Sequence, residues 1–155
     1  MKEIELRLYD KSQGRMIYSN FINEPTGKRE WHPFEFPIGF SHYDLEDFSE
    51  IMLFTGLYDK NRTKIFEGDI VRLNNQIGSI VYEAGSFGIG IKEYIDYESL
   101  SKLSRSKTSN YYDGIGCDNF ISLLEIYWNF NCNDCLLDDI EVIGNIYDNP
   151  ELLED

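Results

Sequence analysis

The sequence predicts a mainly β fold, and three observations carry that prediction. Short apolar segments alternate with polar residues at a period of two. Clusters of Gly, Asn, Asp and Ser punctuate them at short intervals, and aromatic residues supply 15% of a chain that is 42% hydrophobic. A period of two sends successive side chains to opposite faces of a pleated ribbon, so one face can be buried and the other wetted. At 155 residues the chain has the length of one domain. Its apolar content is enough for a core, which excludes disorder throughout.

Taken in order, Ile4, Leu6 and Leu8 alternate with charged residues, residues 10–14 offer turn chemistry, and Met16, Ile17 and Tyr18 follow: a β-hairpin. Residues 20–49 hold Pro25, Pro33 and Pro37 among Trp31, Phe34, Phe36 and Phe40, which predicts irregular or edge-strand structure anchored by rings. Residues 51–54 form a short apolar strand. The polar stretch Asp59, Lys60, Asn61 and Arg62 then turns the chain into Ile65 and Phe66. Glu67, Gly68 and Asp69 make a tight turn into the strand of Ile70, Val71 and Leu73. After the turn at Asn74, Asn75 and Gln76 a second strand covers residues 77–82, and after Gly85 and Ser86 a third covers 87–91. Three strands on short turns make a meander, the ingredient of a small SH3-type barrel or roll.

The Ser-rich run 99–109 lacks periodic apolar residues and reads as a mobile loop. Residues 120–130 fit two patterns. Phe120, Leu124, Ile126, Trp128 and Phe130 alternate as in a strand, while Phe120, Leu123, Leu124, Tyr127 and Trp128 form a helical stripe. Aromatic and β-branched enrichment favours the strand. Residues 140–147 read as a strand interrupted by Gly144. Asn149 then caps a short helical turn with Pro150 at its first position. The organisation is one domain over residues 1–155: an N-terminal hairpin and Pro/aromatic-rich region (1–50), a meander (51–98), a Ser-rich loop (99–112), and acidic C-terminal strands with a terminal turn (113–155).

Charge narrows the function. There are 28 acidic residues against 14 basic, a formal net of -14. Every Lys and Arg lies between Lys2 and Lys107, so the carboxylates from Asp113 onward have no cation in their own segment. Nucleic-acid affinity rests on Lys and Arg displacing counterions from phosphates, so DNA, RNA and anionic lipid should repel this chain. A solvated acidic face, or one that meets a basic protein, is expected instead. The longest apolar runs are far below the about 20 residues that cross a bilayer, and Met1-Lys2-Glu3 opens no signal-peptide pattern, so the expected location is the cytoplasm.

Motifs with chemical potential are each incomplete. Cys132 and Cys135 form C-x-x-C and Cys117 is a third thiol, but zinc takes four ligands and only His32 or His42 remains to complete them. Asp134, Asp138 and Asp139 also disfavour a reactive thiolate there. Asp59, Asn61 and Thr63 match the first, third and fifth positions of a calcium loop. The glycine required next is Lys64 and the twelfth position is Ile70, so a turn between strands explains them. Gly85, Gly88 and Gly90 read as a strand turn with a bulge, since no helix pattern follows to form a phosphate cradle. No spacing joins His32 or His42 to a nucleophile, and no catalytic residue, metal or cofactor is assigned.

Four blocks, read together, resemble the YopX family of phage and prophage proteins. They are Thr55-Gly56-Leu57-Tyr58-Asp59-Lys60-Asn61, Ile65-Phe66-Glu67-Gly68-Asp69-Ile70-Val71, residues 78–82, and the C-terminal Glu141-Val142-Ile143-Gly144-Asn145-Ile146-Tyr147-Asp148-Asn149-Pro150-Glu151-Leu152-Leu153. The last is the most specific, and Leu8-Tyr9-Asp10 is similar to that family's first strand. Where the family commonly places Asn-Gly, this chain has Asn61-Arg62, which points to Asn61 in the left-handed conformation. The resemblance implies a β-rich SH3-type barrel or roll, encoded by a phage or prophage and working in the host cytoplasm. It implies no reaction and no ligand residues, so Gly56, Asp59, Asn61, Glu67, Gly68, Asp69, Gly144, Asn145, Asn149 and Pro150 are read as structural.

The leading expectation is a non-enzymatic interaction module that associates with itself through exposed strands or aromatic surface, since 11 Tyr and 10 Phe exceed what a small core encloses. An acidic decoy imitating DNA phosphates before a basic host protein is the alternative, and a Cys-based metal protein the second alternative.

Overall fold

The alternation at the N-terminus folds as a hairpin. In the computed structural model, which describes residues 5–23, 29–32, 47–103, 119–130 and 135–154, β1 (Leu6–Asp10) pairs antiparallel with β2 (Arg15–Tyr18). The turn between them is built by Asp10. Its Oδ1 accepts from the Ser12 N–H at 3.0 Å, the Ser12 hydroxyl at 2.7 Å and the Gln13 N–H at 3.1 Å. These donors, the Ser12 hydroxyl first, hold the Asp10 carboxyl below its ordinary value near 3.8. A lowered folded pKa contributes stability that is present above the unfolded value and lost as pH falls through the folded one. Asp10→Asn should therefore unfold at lower urea than wild type near neutral pH, with the gap closing below about pH 3.8.

The chain divides into two compact units, Met1–Phe54 and Thr55–Asp155. The first contains β1, β2, the antiparallel pair β3 (Asn20–Asn23) and β4 (Arg29–His32), and the opening residues of β5 (Met52–Asp59), where Met52 and Leu53 face Arg7 and Leu6 of β1. Pro25, Pro33, Pro37 and His42 lie outside the described residues.

The second unit is mainly β. Its remaining strands are β6 (Lys64–Phe66), β7 (Asp69–Leu73), β8 (Gln76–Glu83), β9 (Ser86–Gly90), β10 (Phe120–Ser122), β11 (Leu136–Leu137) and β12 (Ile140–Asn145). The meander extends on both sides into an antiparallel sheet ordered β10-β9-β8-β7-β12, while β5 pairs with β6 and, in parallel, with β11. Ile65, Val71, Ile80, Ile89, Ile121 and Ile140, each at most 1% exposed, lie in its core.

Among the described residues this sheet is open, which corrects the barrel expectation. The far side of β12 is already occupied by the β5–β6 turn. Lys60 N–H donates to the Ile140 carbonyl and Val142 N–H donates to the Asp59 carboxylate, both at 2.9 Å, so those ladder groups are not available to β10.

Residues 120–130 are corrected in part. Phe120–Ser122 is a strand, but α2 (Leu123–Phe130) is a helix. Its start is a capping box: Ser122 Oγ accepts from Leu124 N–H at 3.2 Å and Ser122 N–H returns a bond to Glu125. Leu123 and Ile126 are buried while Leu124 is 60% exposed, the one-sided burial of a helix. Ser122→Ala should cost about 1 kcal/mol in the urea-unfolding free energy. Burial pushes the Glu125 carboxyl above its usual range, so its charge weakens the fold above the raised pKa, and the penalty fades as pH falls from there through the unfolded value.

The Ser-rich run is helical at its start, α1 (Tyr97–Leu103), because Asp96 accepts from the Ser99 N–H (3.0 Å) and hydroxyl (2.6 Å) and Leu100 is buried; residues 104–109 lie outside the described set. Arg62, at φ +63°, takes the left-handed conformation expected of Asn61. The register from Ser79↔Gly90 to Glu83↔Ser86 is continuous, so β9 has no bulge. Instead Ala84 and Gly85, at φ +49° and +78°, form the tight hairpin loop.

Candidate functional site

The blocks singled out in the sequence meet around β7 and β12 in the second unit. Asp59, fully buried, is the first brace. Its Oδ1 accepts from Asn61 N–H (2.9 Å) and Thr63 N–H (2.8 Å), and its Oδ2 from Val142 N–H (2.9 Å). One carboxylate thus shapes the β5–β6 turn and ties it to a strand 83 residues away. Asn61 contributes its backbone amide here. Both Asp59 oxygens are engaged by amides, which leaves the calcium-loop reading without its first ligand.

The second brace is the Glu67-Gly68 turn, with Gly68 at φ +83°. Asp69 Oδ2 accepts from Phe66 N–H (2.8 Å), Gly68 N–H donates to the Ile80 carbonyl (2.8 Å), and the Gly68 carbonyl accepts from Ile146 N–H (2.9 Å). The third closes β12 itself. Asn145 Oδ1 accepts from Tyr147 N–H (3.0 Å) and Asp148 N–H (2.9 Å), and its Nδ2 donates to Asp148 Oδ2 (3.0 Å). Asn149 makes no side-chain cap on the 3-10 helix Pro150–Leu153; its Oδ1 turns back to accept from Asn145 N–H at 3.3 Å. Gly144 stands at the bulge opposite β7, and a Cβ there would lie 2.5 Å from Asn149 Oδ1. Gly56, at φ +83° in β5, has open space around it.

Two surface features flank this frame. A depression of about 220 Å³ is lined by Lys60, Arg72, Asn74, Asp138, Asp139 and Glu141. Lys60 Nζ and Arg72 Nη1 approach the same Glu141 oxygen at 2.9 and 3.3 Å, and the Lys60 bond, helped by both positive charges, holds that carboxyl below its usual range. The other is a trough of about 550 Å³ beside β8, walled by Leu152 and Leu153 of the 3-10 helix. Gln76, read in the sequence only as part of a turn, fixes one end. Its Nε2 donates to the Tyr94 carbonyl (2.8 Å) and its Oε1 accepts from Asp96 N–H (2.6 Å). No local pattern marks a contact that spans twenty residues of sequence.

Cys135 is exposed, at φ +62°, while Cys117 and Cys132 lie outside the described residues. Among the described residues no group of three His, Cys, Asp or Glu side chains could hold a metal, and no helix is long and apolar enough to cross a membrane. His32 is on β4.

A model of the family described as YopX protein matches residues 5–154. A crystal structure of protein EF1440 from Enterococcus faecalis aligns with a TM-score of 0.53 and 23% identity over 99% of this chain and 100% of that one, a likeness of fold. None of the curated proteins matches this chain.

Proposed function

We infer that this chain, which belongs to the YopX family, is a non-enzymatic protein–protein interaction module, carried by a phage or prophage and working in the host cytoplasm. The observation that carries the reading is where its polar chemistry goes. Asp59, fully buried, is engaged at both oxygens by three backbone amides, so it braces strands and is not presented to a substrate as base or nucleophile. The surface meanwhile offers large apolar side chains, Tyr82 at 54%, Leu124 at 60% and Tyr94 at 76% exposure, together with the trough beside β8.

Self-association through these side chains is the first consequence. Light scattering coupled to size exclusion should give a mass above one chain at micromolar concentration, and Leu124→Glu or Tyr82→Glu should return it toward the single-chain value. A single-chain mass at every concentration would remove self-association. The acidic-decoy reading has less support, because Glu141 is countered by Lys60 and Arg72 and Asp148 is turned toward the Asn145 amide. The Cys-based metal reading would need Cys117 and Cys132 to meet Cys135.

A further inference from the structure

We propose that the trough beside β8 docks an extended, basic segment of a partner protein; this names the partner of the interaction reading above and rests on it. Ile77, Ser79, Val81 and Glu83 alternate onto the trough from β8. From the first to the last, at about 3.3 Å per residue, they span roughly 20 Å, the reach of an extended segment of about six residues.

The floor is built for close approach. Ser79 faces Gly90 across the strands. A Cβ added at Gly90 would rest in ordinary contact with Val81 Cγ2 at 3.5 Å, so the floor there accepts an incoming group without a clash. Ile77, Val81, Leu152 and Leu153 supply apolar walls, which suit alternate small aliphatic side chains on the incoming segment.

Charge selects the occupant. Glu83 and Glu93 line the trough against Lys92, and the exposed Glu151 and Glu154 flank the leucines of its wall. A segment carrying Lys or Arg between its aliphatic residues complements that border. A second copy of this chain, at a net charge of -14, would bring like charge onto this acidic border, whereas the uncharged Tyr82, Leu124 and Tyr94 of the self-association reading do not line the trough.

The test is fluorescence anisotropy with the full chain and a labelled Lys-Val-Lys-Val-Lys-Val peptide, beside Lys-Ser-Lys-Ser-Lys-Ser and Glu-Val-Glu-Val-Glu-Val controls. Saturable binding of the Lys-Val peptide alone is expected. It should weaken by about tenfold or more in Gly90→Leu, which fills the floor, and in Glu83→Lys/Glu93→Lys, with Glu141→Gln unchanged. Equal binding of the Lys-Ser peptide, binding of the Glu-Val peptide, or indifference to both trough variants would overturn the proposal. So would a dimer abolished by the trough variants, which would place a second copy there. Should Gly90→Leu fail to fold, the charge-reversed variant decides. Absent peptide binding with self-association intact overturns this site and leaves the broader interaction reading standing; loss of both overturns both.

Discussion

Asp59→Ala should lower the unfolding free energy by about 3 kcal/mol or more, the largest loss expected of any single polar residue in the second unit. The carboxylate accepts the amides of Asn61, Thr63 and Val142 at 2.8 to 2.9 Å, and it is fully buried. Alanine leaves a void and strands donors, each costing about 1–3 kcal/mol where water cannot replace the acceptor. The exposed turn amides can turn to water more readily than the Val142 amide, so the total falls short of three full penalties. Asp59→Asn keeps one acceptor oxygen but presents an NH2 group to a backbone N–H, and about half the loss is expected. Asn61→Ala serves as the control, because the brace uses the Asn61 backbone; it should stay within about 0.5 kcal/mol. Urea unfolding followed by tryptophan fluorescence and circular dichroism separates these cases. A loss under about 1 kcal/mol for Asp59→Ala would mean that the β5–β6 turn is held elsewhere.

That brace also marks the boundary of what the chain reveals locally. Asp59 is legible as a turn former because its first bonds reach residues two and four positions on, within the range of an Asx turn. Its third bond, to Val142, is a tertiary fact with no local pattern, and it is this bond that places the β5–β6 turn along the edge where a barrel would close. The strand β8 was legible because Gly78 and Ile80 are buried and the residues between them less so, whereas β7, buried at four of its five positions, was legible as a short apolar run between turn signals. Residues 123–130 were not, since a run with apolar residues at most positions satisfies both periods at once. Ser122 and Glu125, three residues apart, would have broken the tie, as would Asp96 ahead of Glu98 and Ser99 for α1. In each case a polar cap carried more information than the apolar run behind it. At Arg62 the turn's hydrogen bonds override intrinsic preference. The residue with the greater intrinsic tolerance for the left-handed region was Asn61, but the Asp59 carboxylate fixes the turn through the Asn61 and Thr63 amides and leaves the positive φ to the residue between them.

The two glycines of β9 provide the second large effect, because they are two residues apart on one strand and should respond oppositely. At Gly88 an added Cβ would sit 2.3 Å from the Phe120 ring and 2.6 Å from the Ile121 carbonyl oxygen. One of those neighbours is backbone of the paired strand, so the clash cannot be relieved by a rotamer change alone. Gly88→Ala should therefore cost about 3 kcal/mol, the upper range for overpacking. At Gly90 the nearest atom is at an ordinary 3.5 Å, and Gly90→Ala should be neutral or stabilising by about 0.5 kcal/mol through the smaller entropy of the unfolded chain. Phe120→Leu separates the ring from the carbonyl. The shorter side chain vacates the space that the new methyl needs, while the Ile121 oxygen stays. The double variant Gly88→Ala/Phe120→Leu should then be more stable than the sum of the two single losses predicts by at least about 1 kcal/mol. Additive losses would mean that the backbone contact, and with it the registration of β9 against β10, sets the requirement for glycine. In that case Phe120 covers the strand without shaping it.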